Sequence, residues 1–335
     1  MSEKLSRLGI DLPLLPLTTV GSFPKPSYLL AARRKYKKES QLLKNAETNA
    51  TRYWISAQER LDFDVLVHGE MERGDMVAYF GEELEGFMPG GKEDLVRSYG
   101  NRFWIPPHIV SPVRWKEPLT LGAWEFAQSL TKKPVKGMLT GPATIHDWSL
   151  DRFYGNRHTT VLAIAQALRY EIDVLIQNGV KIIQIDEPSL AQTEFFFDTI
   201  LEAFHIMIDG LSEKAYFIMH TCYGEDIFES LYPRMLELPV DNLDIETANS
   251  GMKFLHTIER FPVVKDLSLG FVDVHTRDLE RVDTVRDWMR LALTIIPKEK
   301  LWLGPDCGLK TRTVGDAELK LVVLSAARDM IRACV

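Results

Sequence analysis

Phe217-Ile218-Met219-His220-Thr221-Cys222-Tyr223-Gly224 is an apolar run that ends in an imidazole and a thiol. Short apolar runs without alternation suit strands buried on both faces, as in a parallel sheet covered by helices. Alternate side chains of a strand share a face, so His220 and Cys222 are expected to point the same way at the mouth of this strand. Outward from it, strand-like runs recur along the whole chain: Leu17–Ser22, Asp64–Gly69, Pro134–Gly141, Lys181–Glu187, Ala215–Thr221, Asn242–Thr247, Asp266–Asp273 and Leu301–Cys307. Helical patterns fill the gaps. Leu162, Ala165, Leu168, Ile172, Leu175 and Ile176 form a stripe at helical spacing that Gly179 stops, and Val285, Trp288, Met289, Ala292 and Ile295 form another. A closing helix is expected over Glu318 to Ile331.

Eight strands alternating with helices predict an α/β fold of the (β/α)8 TIM barrel type; an open, doubly wound sheet is the alternative, since sequence does not show closure. One barrel is expected over residues 1–335, with residues 1–12 as an N-terminal arm. Between Gly69 and Pro134 lies a long excursion broken by Gly90-Gly91, Pro106-Pro107 and Pro112. Excursions of that length usually form lids or part of a site.

Composition narrows the function classes. The chain has 335 residues, 45% hydrophobic and 26% charged, with a formal charge of −7, which is ordinary for a soluble globular protein and disfavours nucleic acid as a partner. No run is long and apolar enough for a signal peptide or a membrane span. Three cysteines, Cys222, Cys307 and Cys334, are too few for a disulfide framework, so a cytoplasmic location is expected, with two of them as ligands.

Chemistry in barrels of this kind sits at the C-terminal ends of the strands. Those ends read Gly21-Ser22, His68-Gly69-Glu70, Gly141-Pro142, Asp186-Glu187-Pro188, His220-Thr221-Cys222, Glu246-Thr247, Asp273-Val274-His275 and Asp306-Cys307. Glycine, aspartate and proline are common turn residues, but both non-terminal cysteines and three of the eight histidines fall on this rim. His220, Cys222, Cys307 and Glu246 offer one nitrogen, two sulfurs and a carboxylate oxygen, a plausible tetrahedral Zn²⁺ set. The competing reading is a buried histidine beside unrelated thiols.

Several of these stretches carry a resemblance. Leu17-Thr18-Thr19-Val20-Gly21-Ser22-Phe23-Pro24, Val67-His68-Gly69-Glu70-Met71-Glu72-Arg73, Lys136-Gly137-Met138-Leu139-Thr140-Gly141-Pro142, Ile185-Asp186-Glu187-Pro188, Asn242 to Thr247 and Pro305-Asp306-Cys307-Gly308-Leu309-Lys310-Thr311-Arg312 resemble the cobalamin-independent methionine synthases. The match covers essentially the whole chain but only the catalytic C-terminal half of the long members, as in the single-barrel core form. The resemblance implies zinc on His220, Cys222, Glu246 and Cys307, the homocysteine amino group on Glu70 and Asp186, its carboxylate on backbone around Val20, Gly21 and Ser22, and His275 as proton donor. On residue chemistry alone, helix caps are the competing reading of Asp186 and Glu70, and an ordinary loop histidine that of His275. His68 and Arg73 are expected to support the site.

For the methyl donor the resemblance points to Trp148 and Arg102 around the pterin of 5-methyltetrahydrofolate. Two positions depart from the family pattern. Phe103 replaces a small residue, and Gln192 stands where a glutamate is usual, losing a charge-assisted contact. These departures, a missing second barrel and the charge of −7 favour a methylated corrinoid such as methylcobalamin, delivered by a corrinoid protein, over the folate. The expected activity is zinc-dependent methyl transfer to homocysteine, giving methionine. Alternatives are another thiol acceptor on the same barrel, a zinc hydrolase, or a binding module with structural zinc; the two thiolates and carboxylate disfavour hydrolysis, which prefers neutral ligands.

Overall fold

The computed structural model describes residues 3–98, 102–192, 194–222 and 228–334, without the side chains of 97, 98, 102, 103, 192, 194 and 228. A six-stranded parallel sheet runs Leu301–Gly304, Asp266–Gly270, Asn242–Ile245, Tyr216–Thr221, Ile182–Asp186, Gly137–Thr140 in spatial order. Helices such as Arg157–Gln177, Val282–Leu293 and Val314–Arg332 return the chain between or after these strands; the two predicted apolar stripes face the core, with Leu162, Ile176, Trp288 and Ile295 partly buried at their margins.

The first two expected strands do not form ladders. Leu17 bridges Leu303, and Leu66 bridges Val135, both parallel. The amides of Asp64 and Val65 donate to the carbonyl of Leu17, so these two segments join one edge of the sheet to the other, as a (β/α)8 barrel requires. Side chains replace the missing ladder. Gln58 both donates to and accepts from the backbone of Val67, at 2.9 Å each way, and Asp64 accepts from the Leu17 amide at 2.7 Å. A backbone satisfied by side chains carries no periodic ladder, although its composition reads as strand.

The N-terminal arm tucks under the barrel. Leu5, Ile10 and Leu12 are buried with Val65, Ile182, Tyr216, Ile218 and Trp302, facing the N-terminal ends of the strands. The excursion after Gly69 folds as a helix, Met76–Glu83, two strands, Glu85–Met88 and His108–Arg114, that take Leu150–Asp151 from further along the chain as a third, and an antiparallel pair of Val96–Ser98 with Arg102–Trp104. A bulge at Gly86 accommodates Pro112 on the facing strand: Gly86 has φ +98°, and a Cβ there would meet the Pro112 carbonyl. No helix among the described residues is long and apolar enough to cross a membrane.

Candidate active site

His220 closes the Tyr216–Thr221 strand and Cys222 follows two residues later. Their ligand atoms and that of Cys307 lie within 4.8 Å of one another, with the two sulfurs 3.6 Å apart. Asp244, on the neighbouring strand, pairs directly with His220, its Oδ1 lying 3.3 Å from Nδ1. The other ring nitrogen, Nε2, is buried without a hydrogen-bond partner. A histidine oriented by a carboxylate, with its second nitrogen unsatisfied beside two thiols, fits a metal ligand better than a core histidine. Cys307 is pulled well below the usual thiol range, first by the hydrogen bond from Cys222 and then by the His220 ring, and Cys222 is pushed up in consequence.

Glu246 lies outside that three-residue group. It is nearly buried, and its Oε2 is 3.3 Å from His275 Nε2. Burial opposes charge on His275, but the hydrogen bond to Glu246 and the charges of Cys307 and Asp273 outweigh it and raise its pKa. His275 thus pairs with Glu246 at the edge of the cluster and feels the charge of Cys307.

Glu246 and Cys307 are brought together by a residue whose role was not read from the chain. Asp306 Oδ1 accepts from the amides of Thr247 and Ala248, both at 2.8 Å, and Oδ2 from that of Asn249 at 2.7 Å. One buried carboxylate beside Cys307 therefore anchors the turn after Glu246. The fit is tight, because a Cβ on Gly270 would strike Asp306.

The expected amino-acid site adjoins the cluster. Ser22 packs against Gly308 and accepts from the Leu309 amide at 2.7 Å, which sets the Val20-Gly21-Ser22 turn beside Cys307. The N–H groups of Thr19, Val20, Gly21 and Ser22 find no acceptor among the described residues. Glu70 lies against Gly21 and takes a 3.0 Å ion pair from Arg73, in a backbone with φ +59°, an uncommon conformation for a non-glycine residue. Arg73 also bonds Glu72 and the Met138 carbonyl, and His68 bonds Glu72. Arg73 supports Glu70 directly, and His68 does so through Glu72 and Arg73. Asp186 is held by Gln184 at 2.7 Å, and its pKa rises to about 7, chiefly through burial and further through Glu70.

The capping alternatives fail for both acids. The helix after Glu70, Met76–Glu83, is capped by Asp75. Asp186 accepts from Gln184, the Ser189 amide in the turn after it donates to the Thr144 hydroxyl, and Glu187 caps the separate helix Pro142–Asp147, accepting from the amides of Ala143 and Thr144 at 3.0 and 2.7 Å. Trp148 ends the helix that Glu187 caps and meets Trp104 of the excursion hairpin, with ring centroids 5.1 Å apart. The side chains of Arg102, Phe103 and Gln192 lie outside the described residues.

Asp244 carried a signal in the sequence that went unused. It stands two residues before Glu246, on the same face of one strand. Asp306 had none, because a carboxylate before a cysteine reads as an ordinary turn residue.

Comparison with known proteins gives a consistent result. The family model described as "Cobalamin-independent synthase, Catalytic domain" matches residues 15–329. A 5-methyltetrahydropteroyltriglutamate–homocysteine methyltransferase of Histophilus somni (strain 2336) is 39% identical over 98% of this chain and 45% of its own length. A protein of the same name from Bacillus licheniformis is also 39% identical, over 97% of this chain and 43% of its own. The chain thus spans less than half the length of these relatives. A solved B12-independent methionine synthase from Shewanella sp. W3-18-1, in complex with selenomethionine, superposes with a TM-score of 0.83 at 27% identity, covering 96% of this chain and 98% of that one. A methyltransferase from Methanosarcina mazei shares the fold, with a TM-score of 0.63 at 14% identity.

Proposed function

The chain belongs to the family of cobalamin-independent synthase catalytic domains, and from that premise we propose that it transfers a methyl group from a 5-methyltetrahydropteroylglutamate to the thiol of homocysteine, forming methionine. The observation that carries this reading is the placement of His220, Cys222 and Cys307 within 4.8 Å of one another, beside two buried acids and a turn whose amides meet no acceptor among the described residues. His220, Cys222 and Cys307, with Glu246 beside them, would hold Zn²⁺. When bound, zinc supplies a means of keeping a thiol deprotonated at neutral pH, the form in which sulfur is nucleophilic.

The protein's own groups bind and orient the acceptor. Asp186 and Glu70 receive its ammonium group, and the amides of Val20, Gly21 and Ser22 receive its carboxylate. His275, hydrogen-bonded to Glu246, is the proton donor towards the departing methyl carrier. Trp148 offers a flat apolar face for the pterin, with Trp104 packed behind it. Three ligands drawn from two distant strand ends also argue against a structural zinc, which usually takes closely spaced cysteine pairs.

The methyl donor corrects an expectation. Relatives covering nearly the whole chain are named for a pteroyltriglutamate donor, and nothing among the comparisons supports a methylated corrinoid or a corrinoid protein as partner. The altered contact at Gln192 is a single neutral-for-charged exchange; an amide still hydrogen-bonds a pterin.

The deciding experiment supplies the zinc-loaded protein and homocysteine with 5-methyltetrahydropteroyltriglutamate, the monoglutamate, or methylcobalamin. Methionine is expected from the folates. Its absence with both folates at full zinc occupancy would overturn the proposal. Asp186→Asn and Glu70→Gln should each raise the homocysteine KM roughly 10- to 100-fold, the scale of one charge-assisted hydrogen bond, with zinc content unchanged. Unaltered KM values would show that these acids do not hold the substrate.

A further inference from the structure

The chemistry above makes no use of Lys136, whose side chain is wholly buried. Its ammonium group donates to the Thr19 carbonyl at 2.6 Å and to Gln184 Oε1. An ammonium group can only donate, so the Gln184 amide must present its oxygen to Lys136. Both hydrogens of Gln184 Nε2 are thereby turned elsewhere, to the Val20 carbonyl at 2.8 Å and Asp186 Oδ1 at 2.7 Å. The two side chains together hold one acid and two successive backbone carbonyls.

The consequence for the turn follows from peptide geometry. In a trans peptide the carbonyl and the next N–H point in opposite directions, and no cis peptide occurs among the described residues. Tying down the carbonyls of Thr19 and Val20 therefore turns the amides of Val20 and Gly21 away from this network. Those amides have no acceptor among the described residues. Packing by itself does not call for a lysine here, since a buried charge costs more than an apolar side chain of similar volume. Burial indeed lowers the Lys136 pKa to about 8, against the opposing pull of Asp244 and Asp186.

We propose that Lys136 and Gln184 are positioning residues for an α-amino acid ligand, aiming Asp186 at its ammonium group and the Val20 and Gly21 amides at its carboxylate through one shared network. The proposal rests on the reading of homocysteine as acceptor. It separates recognition of the amino-acid moiety from activation of the thiol, because the hydrogen bonds of neither side chain reach His220, Cys222 or Cys307.

The test compares two thiols in the zinc-loaded chain: homocysteine, and 2-mercaptoethanol, which lacks both charged groups. Lys136→Met and Gln184→Glu are the variants. Gln184→Glu keeps a partner for Lys136 but cannot donate to Asp186 or Val20, so it serves even where Lys136→Met fails to fold. Each should raise the homocysteine KM at least about tenfold, the scale of one lost hydrogen bond. Zinc content should be unchanged, and the rate with 2-mercaptoethanol should stay within about twofold. Equal losses on both thiols, or an unchanged homocysteine KM in folded Gln184→Glu, would overturn the proposal. A wild-type chain that methylates no homocysteine would overturn the proposed function and this inference with it.

Discussion

Cys307→Ser should lose methyl transfer by more than the roughly 10- to 100-fold that disturbing an outer partner of a metal site costs, and should bind zinc weakly or not at all. Serine keeps the size and removes the soft anionic donor that zinc prefers. The substitution removes one of the three ligand atoms that lie within 4.8 Å and leaves Cys222 without its sulfur partner. The barrel should remain folded, because Cys307 lies at the rim and the apolar core is built below it from the strands and helices. Zinc by atomic absorption, circular dichroism and a turnover assay decide the matter together. Full zinc occupancy with full turnover would remove the site from consideration.

Asp306→Ala should be the most damaging single change to the rim that alters no ligand. Three amides, those of Thr247, Ala248 and Asn249, would lose their acceptor at once. Leaving a buried N–H unpaired, as at Thr247 and Ala248, costs about 1–3 kcal/mol each, and less at the exposed Asn249, whose amide can turn to water. The expected destabilisation is about 3–5 kcal/mol, at the upper end for one substitution. Asp306→Asn should cost less, about 1–3 kcal/mol. Its amide oxygen can still serve Thr247 and Ala248, but its NH₂ then faces the Asn249 N–H, donor against donor. Both variants free the turn after Glu246, so zinc affinity should fall roughly 10- to 100-fold, as for outer partners of metal sites in general. Denaturant unfolding and a competitive zinc chelator give the two numbers. An Asp306→Ala protein with unchanged stability would mean that the turn is held by something other than this carboxylate.

The cluster of His220, Cys222 and Cys307 was legible because its chemistry is rare and its positions regular. Cysteine and histidine seldom fall by chance at the ends of apolar runs, and the two-residue period of a strand puts His220 and Cys222 on one face before any fold is known. Asp186 and Glu70 were less clear, since a carboxylate at a strand end also reads as a helix cap. In the structure Asp75, not Glu70, caps the helix Met76–Glu83, and Asp186 accepts from Gln184. The strand assignment erred at Leu17–Ser22 and Asp64–Gly69, where Lys136, Gln184, Gln58 and Asp64 bind backbone that a ladder would otherwise have used. For Leu17, Thr19 and Val20 nothing local distinguishes the two cases, because Asp64, Lys136 and Gln184 lie 47, 117 and 164 positions away.

What the sequence determined by itself is therefore the alternation of buried strands and amphipathic helices and the donor atoms assembled at their ends. Both are properties of short segments, set by side-chain period and by the elements those side chains carry. What only the tertiary structure decided is which groups meet: Asp244 on His220, Asp306 under the Glu246 turn, and Lys136 and Gln184 beneath Asp186 and Val20. The contacts of Asp306, Lys136 and Gln184 join residues 48 to 164 positions apart, apart from the local Gln184–Asp186 link. Closing a barrel brings its first strands beside its last, and sequence neighbours carry no record of that closure.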